Sequence, residues 1–423
     1  MSGRGTATAR RWGAAAAGAV LAAVSLTGCG SGGGEDAPGA KATEGAKGGG
    51  DAKKSARRAY DPPLRFEGKA VVLSGSGQPS TSSGEALRPA VTLVDGVAYV
   101  DNEGGIVAID TRTGDSRWYA ETKYEPDMGG FGTKRVAPLV SDDGRTVYAA
   151  WWRQVPGEGT MPDRSVIEVL AVDTGTGRKT WSAEIPPDPS STGLAATAIG
   201  ADGNLAPQVV GVDAGTAIVT SADTTYALDP ATGAVRWKKG DYRALNLAEG
   251  VVAGGEETGY GKGRLLGVDA ETGKQRWTVA DARQPAHAAP ALLSANLDDR
   301  TVVVDAVSGE TRVSFDSRDW RCLDDARTLV ACSKDGYRAA DRGIVVFDAT
   351  TFRHTWVLPD HSGRSVPKVT GFWHGALYGK VGGRPVVLDG TTGKDRETEP
   401  NAAPIEIDRY GGVEGTRFIP AVG

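Results

Sequence analysis

Seven apolar runs in this chain end in aspartate with Thr or Ser three positions later, which commits it to a repeated stacked unit rather than one large core. The aspartates are Asp110, Asp173, Asp229, Asp269, Asp305, Asp348 and Asp389, and their partners are Thr113, Thr176, Thr232, Thr272, Ser308, Thr351 and Thr392. Six copies then place glycine at the next position: Gly114, Gly177, Gly233, Gly273, Gly309 and Gly393, with Phe352 in the remaining copy. Eight positions after the aspartate stand Trp118, Trp181, Trp237, Trp277 and Trp356, replaced by Val313 and Glu397 in the other two.

Apolar residues three and one positions before each aspartate, as in Val107 with Ile109 or Val345 with Phe347, give the period of a packed β-strand. Asp accepts hydrogen bonds from the amides of its own turn, Thr or Ser adds a weaker bond of the same kind, and Gly takes the positive φ that closes a bulged hairpin. Tryptophan then falls on the returning strand, where it can fill the gap between neighbouring sheets. A second hairpin lies upstream, clearest where Ala90 to Val94 turns at Asp95-Gly96 into Val97 to Val100, so each unit has four strands.

Successive aspartates are 63, 56, 40, 36, 43 and 41 residues apart. Their mean of about 46 matches the period of four-stranded propeller blades. The span from Tyr60 to Gly423 holds just under eight such units, one more than the number of copies. The expected fold is therefore all-β, an eight-bladed propeller whose last blade is composite. Ile405 to Ile407 and Thr416 to Ile419 would supply it from the C-terminus and Ala70 to Leu73 from the N-terminus, closing the ring and removing sheet edges. Seven blades with these segments as trimmings is the alternative.

The Asp-x-x-Thr-Gly-x-x-x-Trp phrase, as in Asp173 to Trp181 and Asp229 to Trp237, resembles the PQQ-binding-like repeat. That family includes quinoprotein dehydrogenases and BamB-type outer-membrane assembly lipoproteins. The resemblance runs from about residue 86 to 397 and implies an eight-bladed ring. It does not imply a cofactor, because many members bind none. Quinoprotein dehydrogenases cover their quinone with a disulfide between adjacent cysteines, beside an acidic base and calcium ligands. Here Cys322 and Cys332 are separated by nine residues. A PQQ- and calcium-dependent oxidoreductase is thus the weaker reading, and a non-catalytic scaffold without cofactor the stronger.

At the N-terminus, Arg4, Arg10 and Arg11 precede an Ala-rich stretch from Trp12 to Leu26, followed by Leu26-Thr27-Gly28-Cys29. Basic, apolar and small-residue regions in this order make a signal peptide, too short to span a membrane comfortably. The ending resembles the bacterial lipobox and implies a diacylglyceryl anchor on Cys29 after cleavage. An ordinary secretory peptide is the plainer alternative. Trp12-Gly13-Ala14 after the arginine pair favours the general export route over twin-arginine export. The domains expected are a lipoprotein signal peptide over 1–28, a lipidated Cys and disordered tether over 29–59, and one propeller over 60–423. The tether is rich in Gly, Ala, Lys and acids and would reach roughly 30 Å. Its Lys53, Lys54, Arg57 and Arg58 read as solvated charge more readily than as a contact with anionic lipid.

The net charge of −5 carries no basic stripe, which weighs against nucleic acid. The expected protein is a monomer, held at the cell membrane on its extracytoplasmic side, with an envelope or extracellular protein as partner. Outside the cytoplasm Cys322 and Cys332, flanking one hairpin, are expected to form a disulfide, with two buried thiols as the alternative. His287, His354, His361 and His374 share no metal-ligand spacing, so no metal is expected. The repeated aspartates read as turn formers rather than catalytic groups, and no catalytic residue is assigned.

In a four-stranded blade, the second connection and the link between blades emerge on one face. Extra length gathers there, in 119–134, 152–165, 183–206, 254–264 and 333–342. Tyr124, Phe131, Trp151, Trp152, Tyr260 and Tyr337 lie in or beside these segments and are the candidates for binding a partner around blades one to three. Trp151 and Trp152 could equally end a strand, one buried and one covered by the neighbouring insertion.

Overall fold

Asp95 and Gly96 both take positive φ, 48° and 77°, a turn that suits the twist of antiparallel strands. It joins Val91–Val94 to Val97–Asp101. The chain returns along Gly105–Asp110, turns at the first repeat aspartate and leaves on Ser116–Glu121, completing one blade. The computed structural model describes residues 57–73, 90–126, 135–188, 206–213, 215–257, 263–336 and 341–423. All belong to one compact unit, Ala56–Gly423, in which the regular elements are strands.

Eight four-stranded antiparallel sheets are present. Blades two to seven occupy 139–185, 208–239, 243–280, 282–314, 321–358 and 368–397. The first strands of successive blades touch around the whole circle, from blade eight back to blade one, so they line the axis and the fourth strands lie outermost. Blade eight is the expected composite. Glu406–Asp408, Gly411–Glu414 and Arg417–Pro420 come from the C-terminus, and Val71–Val72 adds the outer strand by pairing Val71 with Phe418. The ring therefore has eight blades. The sequence reading had not anticipated Gly411–Glu414, whose two leading glycines give no apolar signal.

Each repeat turn is built as its residues dictate. The Asp229 carboxylate accepts the Ala231 and Thr232 amides at 2.9 and 3.1 Å, and the Gly233 amide bonds back to the Asp229 carbonyl at 2.8 Å. The tryptophan serves the next blade. Trp118 Nε1 donates to the Thr174 carbonyl, Trp181 to Pro230, Trp237 to Ala270, Trp277 to Ala306 and Trp356 to Gly390, at 2.8 to 3.2 Å. Its ring covers the following blade's turn glycine: a Cβ on Gly177 would stand 2.6 Å from Trp118. The exceptions obey the same pairing. Blade five has Val313 in place of Trp, and blade six answers with Phe352, which packs into the same core as Val313 in place of a glycine.

The described chain begins on the face of the short turns. Arg57 lies over the Tyr410 and Phe418 rings, 4.8 and 5.0 Å from their centroids, and donates to Thr111 Oγ1 at 2.6 Å and to the Tyr410 carbonyl at 3.0 Å. Tyr60 bonds to Arg409 on blade eight, while Asp61 meets His374 of blade seven and, at 2.7 Å, Arg327 of blade six. Phe66 is fully buried beside Tyr378. Arg57 and its neighbours thus belong to the folded unit, correcting a boundary at residue 60 and the reading of Arg57 as solvated tether charge.

Candidate functional site

The second and third strands of blade two, Thr146–Val155 and Arg164–Asp173, are ten residues each and stay paired to their ends, Val155 opposite Arg164. Of the loop the sequence suggested over 152–165, residues 152–155 and 164–165 extend the two strands and 156–163 form the connection, so the hairpin runs on to the face of the longer connections. Its end is closed by an Asp163 carboxylate accepting the Gly157 amide at 2.8 Å, and Met161 there is 69% exposed.

A buried charge cluster anchors this hairpin. Arg153, only 1% exposed, donates to the Trp152 carbonyl at 3.0 Å and to the Glu103 carbonyl of blade one, and lies 5.3 Å from the Trp151 ring. Burial pulls its pKa down, opposed by the charges of Glu168 and Asp101. Glu168, equally buried, accepts the Lys123 amide at 2.7 Å, and Asp101 accepts the Trp151 indole at 2.9 Å and the Glu103 amide at 3.0 Å. Burial raises the Asp101 pKa against those bonds. The cluster ties the link after blade one to the hairpin of blade two. Glu168 interrupts the apolar run from Val166 to Val172, and that interruption was its one trace in the sequence.

Among the candidates, Tyr124 is half-buried on this link, its hydroxyl donating to Glu184 Oε1 at 2.8 Å. Trp151 is 6% exposed in the core between blades one and two, which removes it as a docking residue. Trp152 points the other way and packs, half-buried, into the core shared with blade three. Phe131, Tyr260, Tyr337 and Cys29 lie outside the described residues. Trp152 therefore lies on the hairpin that carries Met161, and Tyr124 on the link whose Lys123 amide is bound by Glu168 of that hairpin. Glu121, Glu125 and Glu158 around them form no ion pair among the described residues.

The other sequence candidates are structural. The repeat aspartates form turns, and Arg117, Arg236, Arg276 and Arg312 pair with four of them. Cys322 and Cys332 face each other across paired strands of blade six and are joined by a disulfide buried in its core. That bridge spans two strands within a blade, so it does not fit the quinone cover of the dehydrogenases. Among the described residues no group of three His, Cys, Asp or Glu side chains could hold a metal ion, and no helix is long and apolar enough to cross a membrane.

The model of the family described as outer membrane protein assembly factor BamB matches residues 165–319 and 261–419. BamB from Moraxella catarrhalis superposes at TM-score 0.44 with 15% identity, over 84% of this chain and 98% of that one. The computationally designed Ika8 protein gives 0.49 and 14%, over 85% and 100%. Dihydro-heme d1 dehydrogenase NirN, in complex with DHE, gives 0.45 and 15%, over 86% and 75%. No curated protein matches the sequence.

Proposed function

The chain belongs to the family of the outer membrane protein assembly factor BamB, and from that premise we propose that it is a non-catalytic, lipid-anchored scaffold. It binds an envelope or extracellular protein on the face of its longer connections, around blades one to three. The observation carrying this reading is the blade-two hairpin, tied to blade one and to the link after it by buried Arg153, Asp101 and Glu168 and ending in exposed Met161. A rigid platform with aromatic and methionine side chains lowers the ordering cost of docking. Glu121, Glu125 and Glu158, which form no ion pair among the described residues, favour a partner with a basic surface.

Photo-crosslinking side chains placed at Met161 and at Thr174, on the opposite face, test this in the native cell. A specific adduct from Met161 and none from Thr174 is expected. Against the captured partner, Tyr124→Ala and Trp152→Ala that leave folding intact should each weaken binding roughly tenfold. Equal adducts from both positions, or unchanged affinity, would overturn the assignment. The oxidoreductase alternative would require quinone absorbance that persists after incubation with PQQ and calcium and removal of excess cofactor.

A further inference from the structure

Far from blade two, on the same face, the link from blade six to blade seven crosses the second connections of both blades and leaves a cavity of about 410 Å³. That is within the range of small-molecule pockets. Pro359, Val366 and Val381 line it together with Ser365, Gly382 and two arginines, Arg342 and Arg364. The two arginines are not equivalent. Arg364 is spoken for: it donates to Asp395 Oδ1 and to the Gly393 carbonyl, both at 2.8 Å, and has Asp360 at 3.8 Å. Among the described residues Arg342 makes no hydrogen bond or ion pair, although it is only half-exposed.

A half-buried arginine with no partner among the described residues, lining one cavity with Pro359, Val366 and Val381, is complementary to one anionic group attached to one apolar group. We propose that this cavity is a second binding site, for a carboxylate ligand with a short branched apolar moiety. The carboxylate pairs with the fork of Arg342, and the apolar part covers Val366 and Val381. A monoanion is favoured over a phosphate dianion because Arg364 is already neutralised by Asp395 and Asp360. The same chemistry is offered by a free short-chain acid and by a peptide ending in valine or leucine.

Ligand-observed saturation-transfer NMR on the full chain distinguishes them, with isovalerate, the peptide Gly-Gly-Val, and the same peptide with an amidated C-terminus as probes. Saturable binding of a free carboxylate is expected, weakened roughly tenfold or more by Arg342→Gln and by Val381→Asp. Tighter binding of isovalerate would identify free acids as the ligands, and tighter binding of Gly-Gly-Val would identify peptide termini. Equal binding of the amidated peptide, or Arg342→Gln and Val381→Asp variants that fold and bind as wild type, would overturn the proposal. So would the absence of saturable binding by either acid. None of these outcomes bears on the blade-two surface.

Discussion

At the residue scale, the turn glycine and the tryptophan form one contact divided between neighbouring blades. Gly177 needs its glycine twice, for a φ of 71° and for the Trp118 ring 2.6 Å from where a Cβ would stand. Gly144 has nearly the same φ, 70°, and nothing within 4 Å of that point. Gly144→Ala should therefore cost only the backbone strain, about 1–2 kcal/mol. Gly177→Ala should cost at least about 1 kcal/mol more because the indole must move, a difference readable in urea unfolding midpoints. The turn carboxylates make a second expectation. Arg276 first, then Thr272, holds the Asp269 pKa down to about 2. A depressed carboxylate stabilises fully above its unfolded value near 4, and that contribution is lost as pH falls through about 2. Asp269→Asn should thus flatten the acid limb of stability between those values while changing its slope little near neutrality, as checked by thermal melts across pH. These positions were legible because a turn with fixed φ and fixed donors admits few residues. The Phe352 exception was visible but not interpretable, since its reason lies at Val313 in the preceding blade.

At the element scale, the blade-two hairpin shows what periodicity leaves out. Trp151 and Trp152 sit on adjacent residues of a strand and so face opposite neighbours, one core on each side. Alternation in the sequence predicts opposite faces but not that both faces are covered, which depends on blades one and three. Arg153 was likewise hidden, because a buried cation is set by its partners and not by any local pattern. Arg153→Met keeps the volume but removes the guanidinium bonds to the Trp152 and Glu103 carbonyls and the positive charge near Asp101 and Glu168, and should destabilise by about 1–3 kcal/mol. Adding Glu168→Gln should restore part of that loss, measured as the coupling in a double-mutant cycle. If the single substitution is neutral, the cluster is not what stiffens the hairpin. The disulfide of blade six was easier to anticipate, since Cys322 and Cys332 flank a hairpin whose register places them opposite each other.

At the scale of the whole molecule, ring closure was legible by arithmetic: seven copies, a length suited to eight, and stray apolar segments at both ends. The segment from Arg57 to Phe66 was not, because its contacts reach blades one, eight, seven and six, far apart in sequence. The proposed anchor is tested directly. Cys29→Ser should move the protein from the membrane fraction to the soluble extract and remove a diacylglyceryl-sized mass; retention in the membrane with unchanged mass would refute it. If the anchor is confirmed, the place where the folded chain begins acquires a meaning of its own. Arg57 leaves from the short-turn face, on the opposite side from Met161 and the blade-two hairpin. Tension reaching the chain at Arg57 would be met by its bonds to Thr111 and Tyr410 and by those of Tyr60 and Asp61, sharing the load among four blades before it reaches the outer strand of blade eight.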